Sequence, residues 1–229
     1  MTPVVGGPRP WQHGTVPDPV GPIALFLAGA RVVADAVAGP DVGLAWDRPS
    51  VLAEQTVGGL AGHLARGAVW VTGDYAAGDE PPGPVRFDSA GAYFATLADM
   101  ATEESNRAIR DRGASVAAGG QAAVVAELEE RLAALARLLP ALGTDRRIAV
   151  VGGAVMRLGD YLGTRIVEQT VHLDDLARSL GRGPWPIPGA ALDLTLAVAV
   201  DIGTARHGGP AMVRALFRDG FAGDALPVL

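Results

Sequence analysis

Two long stretches of this chain, "QAAVVAELEERLAALARLLPALG" at 121–143 and the run from Leu158 to Leu180, repeat apolar residues every three or four positions, and each is closed by a glycine. That spacing gathers the apolar side chains on one stripe of an α-helix, and a stripe of that length must be buried against other helices. Shorter segments follow the same rule. "IALFLAGARVVADAVA" (23–38) ends at the stop and turn "GPD", and Thr56 stands as N-cap of "VGGLAGHLARGAVWVTGDY" (57–75), whose glycines weaken the helix signal. From Ser89 an amphipathic run closes at Gly113 and, with 121–143, makes two helices or the halves of one bent element. "RRIAVV" and "AVMRL", separated by Gly152 and Gly153, fit a small hairpin or extended loop. After "GRGPWPIPG" two more helical stretches are expected, at 190–206 and 210–218. The fold class that follows is all-α, with short connections that favour antiparallel neighbours in an up-and-down bundle.

The 229 residues, 49% of them hydrophobic, suffice to bury a full core without disulfides or a structural metal. The chain has no cysteine, so thiolate nucleophiles of its own and sulfur-rich zinc sites are excluded, and imidazole and carboxylate remain as the strong metal ligands. All 19 basic residues are arginines, which excludes Schiff-base lysine chemistry and a phosphate-loop lysine. The formal charge of -6 is spread along the chain without an arginine-rich stripe, so the electrostatic footprint of a nucleic-acid partner is missing.

"MTPVVGGPRPWQHGTVPDPVGP" is rich in proline, lacks an unbroken apolar core and reads as an irregular N-terminal arm over 1–19, unlike a secretory signal. The main bundle is expected over 20–181 and a C-terminal helical extension packed on it over 182–229. The apolar stretches at 23–38 and 190–205 are interrupted by Arg31 and Asp35, and by Asp193 and Asp201, too often for a membrane span. A cytoplasmic protein is expected, as a monomer or homodimer, with no membrane and no nucleic acid among its partners.

"EQTVHLDD" (168–175) crowds charge into a leucine-rich helix. At about 100° per residue, Tyr161, Arg165, Glu168, His172, Asp175 and Ser179 share one narrow stripe, beside an apolar stripe of Leu162, Ile166, Leu173, Leu176 and Leu180. Residues four apart on a helix are neighbours, so Glu168 and His172 can share one divalent ion. The chain has four histidines. His13 falls in the arm and His207 beside "GGP" at a helix end, whereas His63 sits mid-helix between Leu60 and Leu64, which makes it the natural third ligand. The same spacing also describes a solvated Glu–His pair, and a histidine on an apolar face is equally a hydrogen-bonded core residue. "VVGGAV" lacks the spacing of a phosphate-binding loop and reads as a turn.

"WDRPSVLAEQTVGGLAGHLAR" followed at a distance by "DYLGTRIVEQTVHLDDLARSL" resembles the metal-binding domain of the mycothiol-dependent maleylpyruvate isomerase family, over roughly 20–181; "RHGGPAMVRALFR" is similar to the C-terminal ending common in that family. The resemblance implies a DinB-like up-and-down four-helix bundle with additional C-terminal helices and at most a small hairpin. It also implies a divalent ion, usually zinc, bound by the histidine of the "HLAR" segment and by the Glu and His of the "RxxExxxHxxDL" segment. Carried onto this chain these are His63, Glu168 and His172, with Arg165 and Asp175 at the flanking motif positions.

The enzyme that names the family has a separate C-terminal domain, and the stretch after Gly181 is too short for an ordinary one, so its substrate does not carry over. The expected activity is activation of a low-molecular-weight thiol such as mycothiol for addition to an electrophilic small molecule, as an isomerase or an S-transferase. Since the chain owns no cysteine, the thiol must arrive as a cosubstrate. Asp175 and Arg165 are the expected catalytic supports, and Arg157 and Tyr161 the expected lining of the thiol or substrate pocket. Two other readings stand beside this one: a metal-dependent hydrolase and a non-catalytic helical bundle that binds a small molecule.

Overall fold

A computed structural model of the chain describes residues 21–220, 223 and 226–228; the N-terminal arm expected over 1–19, with His13, lies outside them. The described residues are dominated by helix. In chain order they form α1 (Pro22–Val37), α2 (Pro40–Leu44), α3 (Val57–Ala65), a π-helical turn (Arg66–Trp70), α4 (Val71–Ala76), α5 (Ala90–Met100), α6 (Glu103–Ala117) and α7 (Gly120–Leu142). The hairpin strands β1 (Arg147–Ala149) and β2 (Val155–Arg157) follow, then α8 (Leu158–Ser179), α9 (Gly189–His207) and α10 (Gly209–Phe217).

Four rods make the bundle: α1, the continuous α3–π–α4 rod, α7 and α8. Helix α1 packs on both α7 and α8, and the α3–π–α4 rod does the same. The periodicity is the cause. Helix α1 buries Phe26, Ala30, Val33 and Val37, and α7 buries Val124, Leu128, Leu132, Leu135 and Leu139, each set spaced by three or four residues. Helix α8 is buried over most of its circumference because α1, α3, α5 and α9 all touch it. The antiparallel hairpin pairs Ile148 with Met156 and leads directly into α8, as the glycine-separated runs suggest.

Thr56 caps α3 as expected, its hydroxyl accepting from the Gly59 N–H at 3.0 Å. The amphipathic run that begins at Ser89, however, does not continue to Gly113. It breaks at Ala101–Thr102, where Thr102 and Ser105 form a reciprocal capping box that starts α6. Gly113 is no helix stop either: it lies buried inside α6, against α3. A Cβ on Gly113 would come within 2.7 Å of the Gly59 carbonyl and 3.1 Å of the His63 Cβ. A Cβ on Gly62 would meet the Gly113 carbonyl in turn. The glycines that weaken the helix signal of α3 thus allow two backbones to touch.

Helices α5 and α9 pack together and on α8, and α10 folds back on α9. Among the described residues no helix is long and apolar enough to cross a membrane.

Candidate metal centre

His63 lies in the last turn of α3, and Glu168 and His172 lie one turn apart in the middle of α8. The contact between these helices brings three ligand atoms together: His63 Nε2 is 3.2 Å from His172 Nε2 and 3.6 Å from Glu168 Oε2, and His172 Nε2 is 3.4 Å from Glu168 Oε2. Tetrahedral bonds of about 2.0–2.2 Å to nitrogen and oxygen set neighbouring ligand atoms roughly 3.3–3.6 Å apart. The three atoms therefore match one face of a zinc tetrahedron, and the donor set of two imidazoles and a carboxylate suits a divalent ion. The two rings meet edge to face, their planes at 86°, with the Nε2 atoms the near pair at 3.2 Å. The three side chains keep 16–20% of their surface open, so the centre lies at the edge of the bundle and is reachable from solvent.

The second nitrogen of His172 is also engaged. Its Nδ1 lies 3.0 Å from Asp175 Oδ2, so an Nδ1–H that donates to the carboxylate leaves Nε2 free to ligate. Asp175 is buried, and Ser179 ties its backbone by donating to the Asp175 carbonyl at 2.7 Å while accepting from the Val51 N–H at 3.0 Å. With no ion bound, burial alone would lower the His172 imidazole, but Asp175 first and Glu168 second outweigh it and push the group up to about 9. Burial likewise opposes charge on Glu168; contacts with His172 and His63 and the charge of Arg165 overcome it and hold the carboxyl well below its usual range.

Arg165 sits one turn before Glu168, buried, with its guanidinium carbon 5.0 Å from the centre of the Tyr161 ring. It donates from Nη1 to the Gly67 carbonyl at 2.6 Å and from Nε to the Thr164 hydroxyl at 3.0 Å. Among the described residues no carboxylate comes within ion-pair range of it. Tyr161 is fully buried, burial pushing its phenol up, and its ring meets that of Tyr75 edge to face. Arg157 is placed elsewhere: it precedes α8, half exposed, and reaches Asp160 at 3.5 Å. Eleven residues separate it from Glu168, about 16 Å along the helix axis. His207 ends α9, also away from the cluster.

Two further residues shape the site without belonging to its charged motif. Gln169, almost fully buried, donates from Nε2 to the Ala68 carbonyl at 3.2 Å and lies 3.4 Å from the Phe26 carbonyl. Gly67 lies flat against the His63 ring, where a Cβ would approach Cε1 to 3.3 Å. The sequence signal for Gly67 is its spacing, four residues after His63 on the same helical face.

An all-α, DinB-like bundle with a His/Glu/His cluster between two of its rods defines a class of small metal-binding helical proteins. Within it, the family model of the mycothiol maleylpyruvate isomerase N-terminal domain matches residues 26–177, and the chain belongs to that family. No curated protein and no solved structure matches the chain. The matched segment holds every residue of the cluster and stops before α9.

Proposed function

We propose that this chain is a divalent-metal enzyme, most simply a zinc enzyme, that activates a low-molecular-weight thiol such as mycothiol for addition to an electrophilic small molecule. One observation carries the reading: three ligand atoms separated by 3.2, 3.4 and 3.6 Å, with no fourth protein ligand in the group among the described residues, in a member of a mycothiol-linked family. A cation with an open position lowers the pKa of a coordinated thiol or water and so supplies thiolate or hydroxide at neutral pH.

The chain's own residues have separable tasks. His63, Glu168 and His172 hold the ion. Asp175 orients the His172 ring and fixes its tautomer through the Nδ1 contact. Arg165, a permanent buried cation one turn away, adds to the His172 and His63 contacts that keep Glu168 ionised. Tyr161 fills the space beneath Arg165. Arg157, at the far end of α8, serves substrate only if the ligand extends along the helix. Addition of the thiol sulfur to an electrophilic carbon is shared by both outcomes: elimination after bond rotation gives isomerisation, and retention of the sulfur gives thiol transfer. A cytoplasmic setting, where such thiols are kept reduced, fits either.

The test is direct. Protein purified without chelator or histidine tag is assayed for bound metal, alongside His63→Ala, and then incubated with mycothiol and a panel of maleyl-type and epoxide electrophiles while free thiol is titrated. Metal in the wild type but not in the variant, with thiol-dependent turnover, is the expected result. Turnover of esters or amides without thiol would replace the reading by a hydrolase, and equal metal content in both proteins would remove His63 from the site.

A further inference from the structure

The helix that carries His63 does not run on regularly. Immediately after Ala65 it widens into the π turn Arg66–Trp70, where the Val71 N–H reaches back five residues to the Arg66 carbonyl. Such a turn inserts one residue and takes carbonyls out of the regular ladder, which costs stability unless something else uses them. Two consecutive carbonyls of this turn, those of Gly67 and Ala68, accept hydrogen bonds from α8: Arg165 Nη1 at 2.6 Å and Gln169 Nε2 at 3.2 Å. Arg165 and Gln169 are four residues apart, so they form one ridge of α8, and the carboxylate ligand Glu168 belongs to the same turn. Both donors are buried, where an amide or guanidinium is held by its partners rather than by water. Gly67 itself supplies a flat surface for the His63 ring, with hypothetical Cβ distances of 3.3, 3.6 and 3.7 Å to Cε1, Nδ1 and Nε2.

We infer that the π turn is the device that aims His63 at the metal centre, with Arg165 and Gln169 as positioning residues that clamp its Gly67 and Ala68 carbonyls and Gly67 as the space in which the imidazole lies. The inference rests on the metal reading above and assigns a cause to its geometry. One helix, α8, then fixes both halves of the centre. It presents Glu168 and His172 directly, and through two side-chain donors it sets the register of the opposing backbone from which His63 projects.

The experiment compares wild type with Gly67→Ala, Gln169→Met, Arg165→Lys and Arg165→Met. Zinc affinity is measured by competition with a chromophoric chelator, the cobalt(II) d–d spectrum reports ligand geometry, and urea unfolding of the metal-free proteins reports the fold. Alanine is a better helix former than glycine, so Gly67→Ala is expected to leave metal-free stability unchanged or raised. It is expected to weaken zinc by roughly 10- to 100-fold, as loss of a ligand's supporting contact does, and to shift the cobalt spectrum. Gln169→Met is expected to weaken zinc in the same direction, and Arg165→Lys, which retains a donor for the Gly67 carbonyl, to bind zinc more tightly than Arg165→Met. A Gly67→Ala protein with wild-type affinity and cobalt spectrum overturns this inference alone. Wild-type protein that takes up neither ion overturns the metal reading and this inference with it.

Discussion

The bundle is held by two kinds of seam. Where α7 meets α1, the buried residues of α7 are all apolar, Val124, Leu128, Leu132, Leu135 and Leu139, and the polar contacts lie at the end and the rim: Gln121 donates to the Val37 carbonyl at 2.7 Å where α7 begins, and Arg31 reaches Glu129 with two hydrogen bonds of 2.6 and 2.8 Å. Where α3 and its π turn meet α8, polar groups enter the interior, and Arg165, the Gln169 amide nitrogen, Asp175, His63, Glu168 and His172 each have a specified partner. Apolar seams are worth most in stability and tolerate exchange of like for like; polar seams contribute little net stability but fix one geometry. Cohesion and chemistry are thus assigned to different faces of the same four rods.

The largest effect should come from breaking the apolar seam. Leu128→Ala, at a fully buried position, is expected to destabilise the protein by about 2–5 kcal/mol in urea unfolding while leaving zinc affinity of the folded fraction unchanged. The converse is His63→Ala, expected to lower zinc affinity by more than about 100-fold and to abolish the rise in melting temperature expected when zinc is added to the wild type. If Leu128→Ala were to weaken zinc as strongly as His63→Ala, the division between the seams would be wrong.

Acidity sharpens the contrast. In the metal-free protein the His172 imidazole is raised to about 9, so its contribution is fully present below the unfolded value near 6.5 and is lost as pH rises through 9. Glu168 is depressed, so its contribution is present above the ordinary carboxylate range and lost as pH falls through its folded value. Metal-free stability, from urea titrations, should therefore fall by up to about 3 kcal/mol between pH 6 and 10. His172→Gln should flatten that slope, and zinc affinity should climb over the same interval because ligation requires the neutral ring. Asp175→Asn is expected to weaken zinc by about 10- to 100-fold and, because Asp175 is the main group that raises the His172 imidazole, to flatten the same pH slope in the metal-free protein. The smallest effect belongs to the rim: Glu129→Gln should cost about 0.2–1 kcal/mol, reduced further by salt.

The long helix and its Glu–His pair were legible in the sequence because residues four apart are neighbours on any helix, whatever surrounds it. His63 was reachable by elimination among four histidines and by its place between two leucines. What escaped depends on partners distant in the chain. Gly113 looks like a terminator until α3 is laid against it, and the glycines around Gly59 look like weak helix formers until they are seen as a landing surface. The break between α5 and α6 did have a local signal, Thr102 followed three residues on by Ser105, but an amphipathic pattern continuing across it masked the cap. Gln169 and the π turn left no local trace, since the role of each is defined only by the other.

The contact between α3 and α6 carries a consequence of its own. Backbone resting on backbone has no rotamers through which to adjust, so one face of the rod that bears His63 abuts something close to an unyielding wall. A single methyl group at Gly62 or Gly113 would force α3 and α6 apart and carry the His63 imidazole away with the helix that bears it.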